Sequence, residues 1–591
     1  MSEHSAKGKR HVWRRVLLGV GVVLAVTVMA GAWIVYTGLQ ARDALVAAAD
    51  AVSGTQNALL GADVAAAEAS LIQAADLTAE AESKTSDIVW RAVGALPVVG
   101  VTPKAVTVTT EAANQVISES LPQFVQAAAI LDVETIKNAE GKVDLARLPP
   151  ASQALAGAQA SLEQAAATLA TVPTEGVASQ VSEGAAELTA KVDEALAIST
   201  TASALLAVIP TMLGANGPQT YFVAFQSPVE IRGTGGFLGT YGLLTADQGE
   251  LVRKDTFSNS TLQNFAAPVV DLGPDYRELY GRDPALWVNM NMSPNFPYAG
   301  VQWATAWRNQ TGEEVAGVLA VDLTALQYLI QATGPVTAPD GQVLTADNVV
   351  QYLGSDIYLK YAEDNTARKD LQAEVATELI DRVLRLDGGM SALISALSQS
   401  VSGGHVQMWS TSDDIQQTLA TTDLAGQTST APGPYVQLVL NNGGGTKLDY
   451  FLSRKVEYLG GQCSDDATRQ STVRVTLTNN APSDLLRAPS IVGSGDGNRD
   501  GQPDLINRVL TYVHFADGAG VAGVRQDGQP TQASFGAEMG RPVAYRKVDV
   551  APGQPVTLEF DVVEPVSDAM PDVPVQPMVD SQETVVDWPG C

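Results

Sequence analysis

Hydrophobic positions change their rhythm along the chain, and each rhythm predicts a different kind of element. From 16 to 36 there is no polar face at all: 21 uncharged residues, mostly Val, Leu, Ala and Gly, make a helix of about 32 Å, enough to cross a hydrocarbon core of about 30 Å. From 37 to 212 apolar residues recur at helical spacing. Leu45, Val52 and Leu59 are seven apart, as are Leu155, Leu162 and Leu169, and alanine fills most other seam positions. Pro97, Pro103, Pro149, Pro150, Pro173 and Pro210 divide this stretch into roughly four helices folded as hairpins. Over 215–434 short apolar strands alternate with amphipathic helices. Strands are expected at 220–226 and 316–321, a hairpin across Asp247-Gln248-Gly249, and helices at 324–333, from Thr345 and from about Thr366. After Tyr435 the period falls to two, as in 473–477 and 556–560, with turn residues between the runs. The expected architecture is multi-domain: a basic tail (1–15), a transmembrane helix (16–36), an all-α, Ala-rich stalk (37–212), an α/β domain (215–434) and a C-terminal β-sandwich (435–591).

Composition adds a direction to this order. The 591 residues exceed what one core of about 250–300 residues holds, and a hydrophobic fraction of 45% excludes wholesale disorder. A net charge of −29 without a basic stripe excludes nucleic acid as a natural partner. The charge is unevenly placed: residues 1–15 carry +4 through Lys7, Lys9, Arg10, Arg14 and Arg15, and the remainder carries −33. With Trp13, Trp33 and Tyr36 at the ends of the apolar run, the N-terminus is expected in the cytoplasm and the bulk outside a plasma membrane crossed once. The alternative is a signal peptide cleaved at Ala30-Gly31-Ala32, but the apolar run continues through Tyr36 and favours an anchor. The two cysteines, Cys463 and Cys591, then fall in an oxidising compartment that permits a disulfide; two unpaired thiols are the other reading. The segment 88–100 is far more apolar than a hairpin tip should be, which suits either contact with a bilayer or a corner buried on the next domain.

Counting excludes some chemistry. The stretch beyond the apolar run has two histidines, His405 and His514, read as structural or surface residues, and lacks His-Glu-x-x-His, Cys-x-x-Cys and Gly-x-Ser-x-Gly. The run 230–242 (EIRGTGGFLGTYG) stands out. Gly233, Gly235 and Gly236 leave amides open to a phosphate that Arg232 could grip, although glycines beside strands also serve tight packing. It is neither a dinucleotide fingerprint nor a Walker loop. Lys254-Asp255-Thr256 puts a cation and a carboxylate where a strand ends, suited to phosphate and Mg²⁺. Arg368 falls in the first turn of a helix, where anions are favoured. Trp287, Phe296, Tyr298, Trp303 and Trp307, interleaved with Asn289, Asn291 and Asn295, suit stacking on sugars or a prenyl chain, with core packing the better reading for Trp303 and Trp307. Asp496, Asn498, Asp500 and Asp504, with Gly501, have the spacing of a Ca²⁺ loop. Asn507 replaces its bidentate Glu, and a plain Asx-rich turn is the alternative.

The blocks 230–244 (EIRGTGGFLGTYGLL) and 441–458 (NNGGGTKLDYFLSRKVEY) resemble the signatures of a bacterial single-pass envelope family known only as a domain of unknown function, family 4012. More distantly, the α/β part is similar to the LytR-CpsA-Psr family. That resemblance implies a membrane-anchored phosphotransferase that moves glycopolymers from polyprenyl pyrophosphate to the cell wall with Mg²⁺. Arg232 stands at that family's first arginine, Lys254-Asp255-Thr256 at its Arg-Asp-Thr, 318–330 at its strand and following helix, and Arg368 with Gln372 at its late Arg and Gln block. The implied catalytic roles are Arg232 and Arg368 on the pyrophosphate, assisted by Lys254, and Asp255 as Mg²⁺ ligand or base. Two departures stand against transfer: Gly233-Thr234-Gly235-Gly236 follows Arg232 where the family has an acidic residue, and Lys254 offers a point charge instead of a guanidinium fork. The expected function is binding, and with it transfer, of a polyprenyl-pyrophosphate-linked glycopolymer at the envelope. The alternative is a non-catalytic envelope scaffold that binds wall polymer.

Overall fold

The computed structural model describes residues 4–60, 63–131, 136–138, 140–385, 390–464, 467–492 and 504–590, without the side chains of 4–25, 59–60, 64, 255, 390–391 and 489–490. The side chains of 16–25, the carboxylate of Asp255, the loop residues Asp496, Asn498 and Asp500, and Cys591 therefore lie outside the described residues. The chain forms two compact units, Met1–Pro210 and Thr211–Cys591.

The first unit is helical: α1 His4–Leu60, α2 Val64–Thr85, α3 Val101–Gln115, α4 Leu121–Ile130, α5 Leu148–Leu169 and α6 Ser179–Met212. The boundary at 36/37 is not a break in the backbone: 16–36 continues into one 57-residue helix. Where α1 meets α2 the seam is made of small residues: Ala41, Ala48 and Thr55 on one side, Ala67, Ala74 and Ala81 on the other, each set seven apart and all buried. The expected Leu45 and Val52 are only partly buried, since alanines at the closest approach draw the helices together and push larger side chains to the flanks. In α5, Leu155, Leu162 and Leu169 are buried as expected. Pro149 and Pro150 open that helix, where a missing N–H costs nothing, whereas Pro210 lies inside α6. Among the described residues, α6 is a helix long and apolar enough to cross a membrane, and it is internal, not N-terminal. Ala202, Leu206 and Ile209 of α6 pack on Leu148, Ala151 and Ala127.

The second unit begins with a mixed sheet. Its strands are β1 Gln219–Ser227, β2 Phe237–Asp247, β3 Glu250–Ser258, β4 Gly317–Asp322 and β5 Val406–Ser410, in the order β3-β2-β1-β4-β5. β1 and β4 are parallel, from Tyr221 opposite Gly317 to Gln226 opposite Asp322; the remaining pairs are antiparallel. Helix α7 (Phe296–Thr311) covers one face. There Trp287, Phe296, Trp303 and Trp307 are buried with Phe222 and Tyr241, so these four aromatics form core and no platform for a sugar or prenyl chain. On the other face Ala376 of α9 (Asn365–Arg385) meets Val223 and Phe225, and α8 (Leu323–Thr333) follows β4 directly.

The C-terminal part holds a six-stranded and a four-stranded sheet. Their inner faces share one core, with Val456, Val475 and Leu558 from the first and Leu440, Val509 and Val548 from the second. Period two produces this directly: Val473, Val475 and Leu477 are buried while Arg474 and Thr476 between them are not. A further core joins Leu448, Leu485 and Leu505 to Leu326, Leu353 and Leu371, so the α/β and β parts are packed as one body. Cys463, at a strand end, is disulfide-bonded.

Candidate functional site

Parallel strands that end side by side, with their chains leaving in different directions, open a crevice beyond their carboxyl ends. β1 ends at Ser227 and turns into the glycine block; β4 ends at Asp322 and enters α8. A cleft of about 240 Å³ lies there, walled by Phe225, Phe237, Leu323, Leu326 and Leu353 on its apolar side and by Glu230, Tyr358, Arg368, Lys369 and Lys447 on its polar side.

Arg368 is the centre of that polar side. It is 5% exposed. Its guanidinium donates to the side-chain oxygens of Gln372, at 3.3 Å, and Asn365, and lies 4.1 Å over the Tyr358 ring. Both hydrogen-bond partners are neutral, and its buried Nε–H has no acceptor. A buried cation held this way retains unmet demand for an anion. Lys447 Nζ sits 5.7 Å over the same Tyr358 ring and pairs with Glu230 at 2.5 Å. Lys369 Nζ reaches Ser258 Oγ and Asn259 Oδ1, each at 3.3 Å. Burial, then repulsion from Arg368 and Lys447, pushes the Lys369 ammonium down from its ordinary range, with Glu230 opposing. Three cations thus gather near the paired Glu230 carboxylate.

The residues expected from sequence divide between this cleft and the interior. Arg368 is in the cleft. Arg232 is not among its walls: it is 7% exposed and turned inward, its Nε donating to Asn289 Oδ1 at 2.9 Å and its Nη1 to the Ile231 carbonyl at 2.8 Å. The glycine amides are not an open cradle either. Gly233 N–H donates to Asn441 Oδ1 at 3.1 Å, Gly235 N–H to the Arg232 carbonyl at 2.8 Å, and Gly236 N–H to Gln226 Oε1 at 3.4 Å. A Cβ on Gly233 would lie 2.2 Å from the Met292 carbonyl oxygen, and one on Gly236 2.3 Å from that of Ser227. These glycines serve close backbone packing. Lys254 is exposed on the edge strand β3, at a bulge where Lys254 and Asp255 together oppose Leu243; the neighbouring Arg253 pairs with Asp381 at 3.0 Å. Asp504 pairs with Arg508 at 2.7 Å.

Glu230, Tyr358, Lys369 and Lys447 also line the cleft, and no sequence motif marks them for it. Lys447 lay inside the block 441–458, and its meaning depends on a partner more than two hundred positions away. The structure docks that block onto the glycine block: Asn441 receives Gly233 N–H and donates to Met292 O at 3.0 Å, and Asp449 Oδ2 accepts Ile231 N–H at 2.9 Å and Asn442 Nδ2–H at 2.6 Å. Burial pushes the Asp449 carboxyl up to about 6, against the hydrogen bonds from Asn442 and Ile231 and the attraction of Arg232. So the two blocks form one buried polar joint, with Lys447 delivered to the cleft at its edge.

Residues 216–358 match the model of DUF4012, a protein family of unknown function. The matched segment includes β1 to β4, Glu230 and Tyr358, and stops before Arg368, Lys369 and Lys447. No curated protein and no solved structure matches the chain.

The cleft's two carboxylates are both committed. Asp322 caps α8 by accepting Thr324 and Ala325 N–H through Oδ1, at 2.9 and 3.0 Å, and holds His405 Nδ1 at 2.7 Å through Oδ2. Burial opposes the charged His405 imidazole, but the charge and hydrogen bond of Asp322 outweigh it and raise its pKa. Glu230 is held by Lys447. Among the described residues, which leave out the Asp255 carboxylate, no three His, Cys, Asp or Glu side chains converge on a metal position.

Proposed function

We propose that this chain is an envelope protein whose cleft binds the phosphate end of a polyprenyl-pyrophosphate-linked glycan. The observation that carries the reading is Arg368: a buried guanidinium in the cleft wall with neutral partners and an unpaired Nε–H. Lys369 and Lys447 supply further positive charge, and the apolar wall of Phe225, Phe237, Leu323 and Leu326 suits the start of a hydrocarbon chain beside it. About 240 Å³ is below the roughly 300–1,000 Å³ of sites that enclose whole ligands, which fits a headgroup and the first part of a chain. Binding, not transfer, is the part these residues support. Transfer would need a free carboxylate as base or metal ligand; Glu230 and Asp322 are both engaged, and the Asp255 carboxylate lies outside the described residues.

The test is titration of the full-length protein in detergent with farnesyl pyrophosphate, with and without Mg²⁺, followed calorimetrically. Saturable binding that survives removal of Mg²⁺ and weakens at least about tenfold in Arg368→Ala is expected, the loss of roughly one charge-assisted hydrogen bond. No binding, or equal binding by Arg368→Ala, overturns the reading and leaves the scaffold alternative.

A further inference from the structure

We propose that Ile88–Gly94 and the turn to Gly100 form a membrane foot: a short apolar tip that enters the lipid interface beside the end of α1's apolar run. The inference rests on 16–36 lying in a bilayer and is independent of the cleft.

The levels within the helical unit can be read from contacts. α2 returns antiparallel to α1, with Ala81 against Ala41 and Ala44. Trp33 Nε1 donates to Asp87 Oδ2 at 2.6 Å, and Trp90 Nε1 to Thr37 Oγ1 at 2.8 Å, so the start of the tip stands beside the last turn of the apolar run. α3 then departs along α2, with Thr107 Oγ1 donating to the Thr85 carbonyl at 2.7 Å. The chain therefore reverses between 88 and 100 at the same level where the apolar run ends.

What the tip exposes there is apolar. Ile88 is 78% exposed, Leu96 50%, Val98 85% and Val99 65%, continuing the exposed surface of Val28, Met29 and Val35 on α1. Trp90, by contrast, is buried and fixes the tip to α1. Arg91 and Lys104 are exposed on either side of the tip, placed to meet lipid phosphates. Val98 has φ 68°, a region that a β-branched residue enters only at a cost and that glycine would enter freely. Packing within the chain does not repay that cost, because the Val98 side chain is exposed, which fits an apolar contact outside the chain. Continuity with the run on α1 identifies that contact as lipid.

The experiment places an environment-sensitive fluorophore on the full-length protein, reconstituted in vesicles of equal parts phosphatidylcholine and phosphatidylglycerol. Ile88→Cys and Val99→Cys carry the label in the tip, Glu140→Cys carries it in an exposed turn far along the bundle, and Val28→Cys reads the anchor itself. The unsubstituted protein gives the background from native thiols. Expected are blue-shifted emission, lost quenching by aqueous iodide and gained quenching by headgroup-labelled lipid at 88 and 99, but not at 140. Iodide access at 88 and 99 equal to that at 140 would overturn the foot. So would shielding from iodide without lipid quenching, which would mean a protein covers the tip. Iodide access at 28 equal to that at 140 would remove the anchor and the foot with it, without bearing on the cleft.

Discussion

Arg232 and Arg368 are both buried arginines, yet they belong to different kinds of place. Arg232 sits in the glycine block, the most conspicuous motif of the sequence, and its guanidinium is bonded to Asn289 and to a backbone carbonyl. Burial pulls its pKa below the ordinary range, while Glu230, Asp449 and Asp283 act to hold its charge. Arg368 comes from a polar helix with no comparable motif, and its neighbours are two neutral side chains, a tyrosine ring and two lysines. A glycine-rich arginine block is therefore not by itself an anion site. What matters is whether the surrounding fold already answers the cation, and here it answers Arg232 and leaves Arg368 open.

The comparison can be broken most forcefully at Arg232. Arg232→Ala leaves acceptors and carboxylates in the joint uncompensated and should cost about 3–5 kcal/mol in denaturant unfolding, while the folded fraction retains affinity for a prenyl pyrophosphate. Arg368→Ala should do the reverse. Its affinity falls about 10- to 100-fold, corresponding to roughly 1.5–3 kcal/mol for a hydrogen bond to a charged group, and its unfolding midpoint is unchanged or higher because no ion pair is lost.

Asp449 sharpens the same contrast through pH. Its folded pKa, about 6, lies above the unfolded value of about 3.9, so between these values the folded protein holds a proton that the unfolded chain has released. Its contribution to stability is therefore present below pH about 4 and lost as pH rises to about 6, by about 3 kcal/mol. Asp449→Asn should flatten that part of the stability–pH curve without changing anion affinity at constant stability. The smallest effect is expected at the tip: Val98→Gly relieves a left-handed valine and should raise stability by about 0.5–1 kcal/mol in detergent.

Much of the fold was legible because its signals are local. The period-two runs at 473–477 and 556–560 lie in strands whose alternate residues are buried, and the strand and helix at 316–333 appear within a residue or two as β4 and α8. The α1–α2 seam was misread because alanine carries little hydrophobic signal even where it sets the approach of two helices. The site was legible at Arg368 and illegible at Lys447 and Glu230, whose pairing joins segments 217 positions apart. The glycines of 233–236 look alike in sequence whether they face a phosphate or a neighbouring strand, and only the positions of Met292 and Ser227 distinguish the two.

A crystal structure of the chain with inorganic pyrophosphate tests the central claim most directly. Density for the anion is expected among Arg368, Lys369 and Lys447, with the Arg368 Nε–H newly paired. Density against Gly233, Gly235 and Gly236 beside Arg232, with the cleft empty, would contradict it.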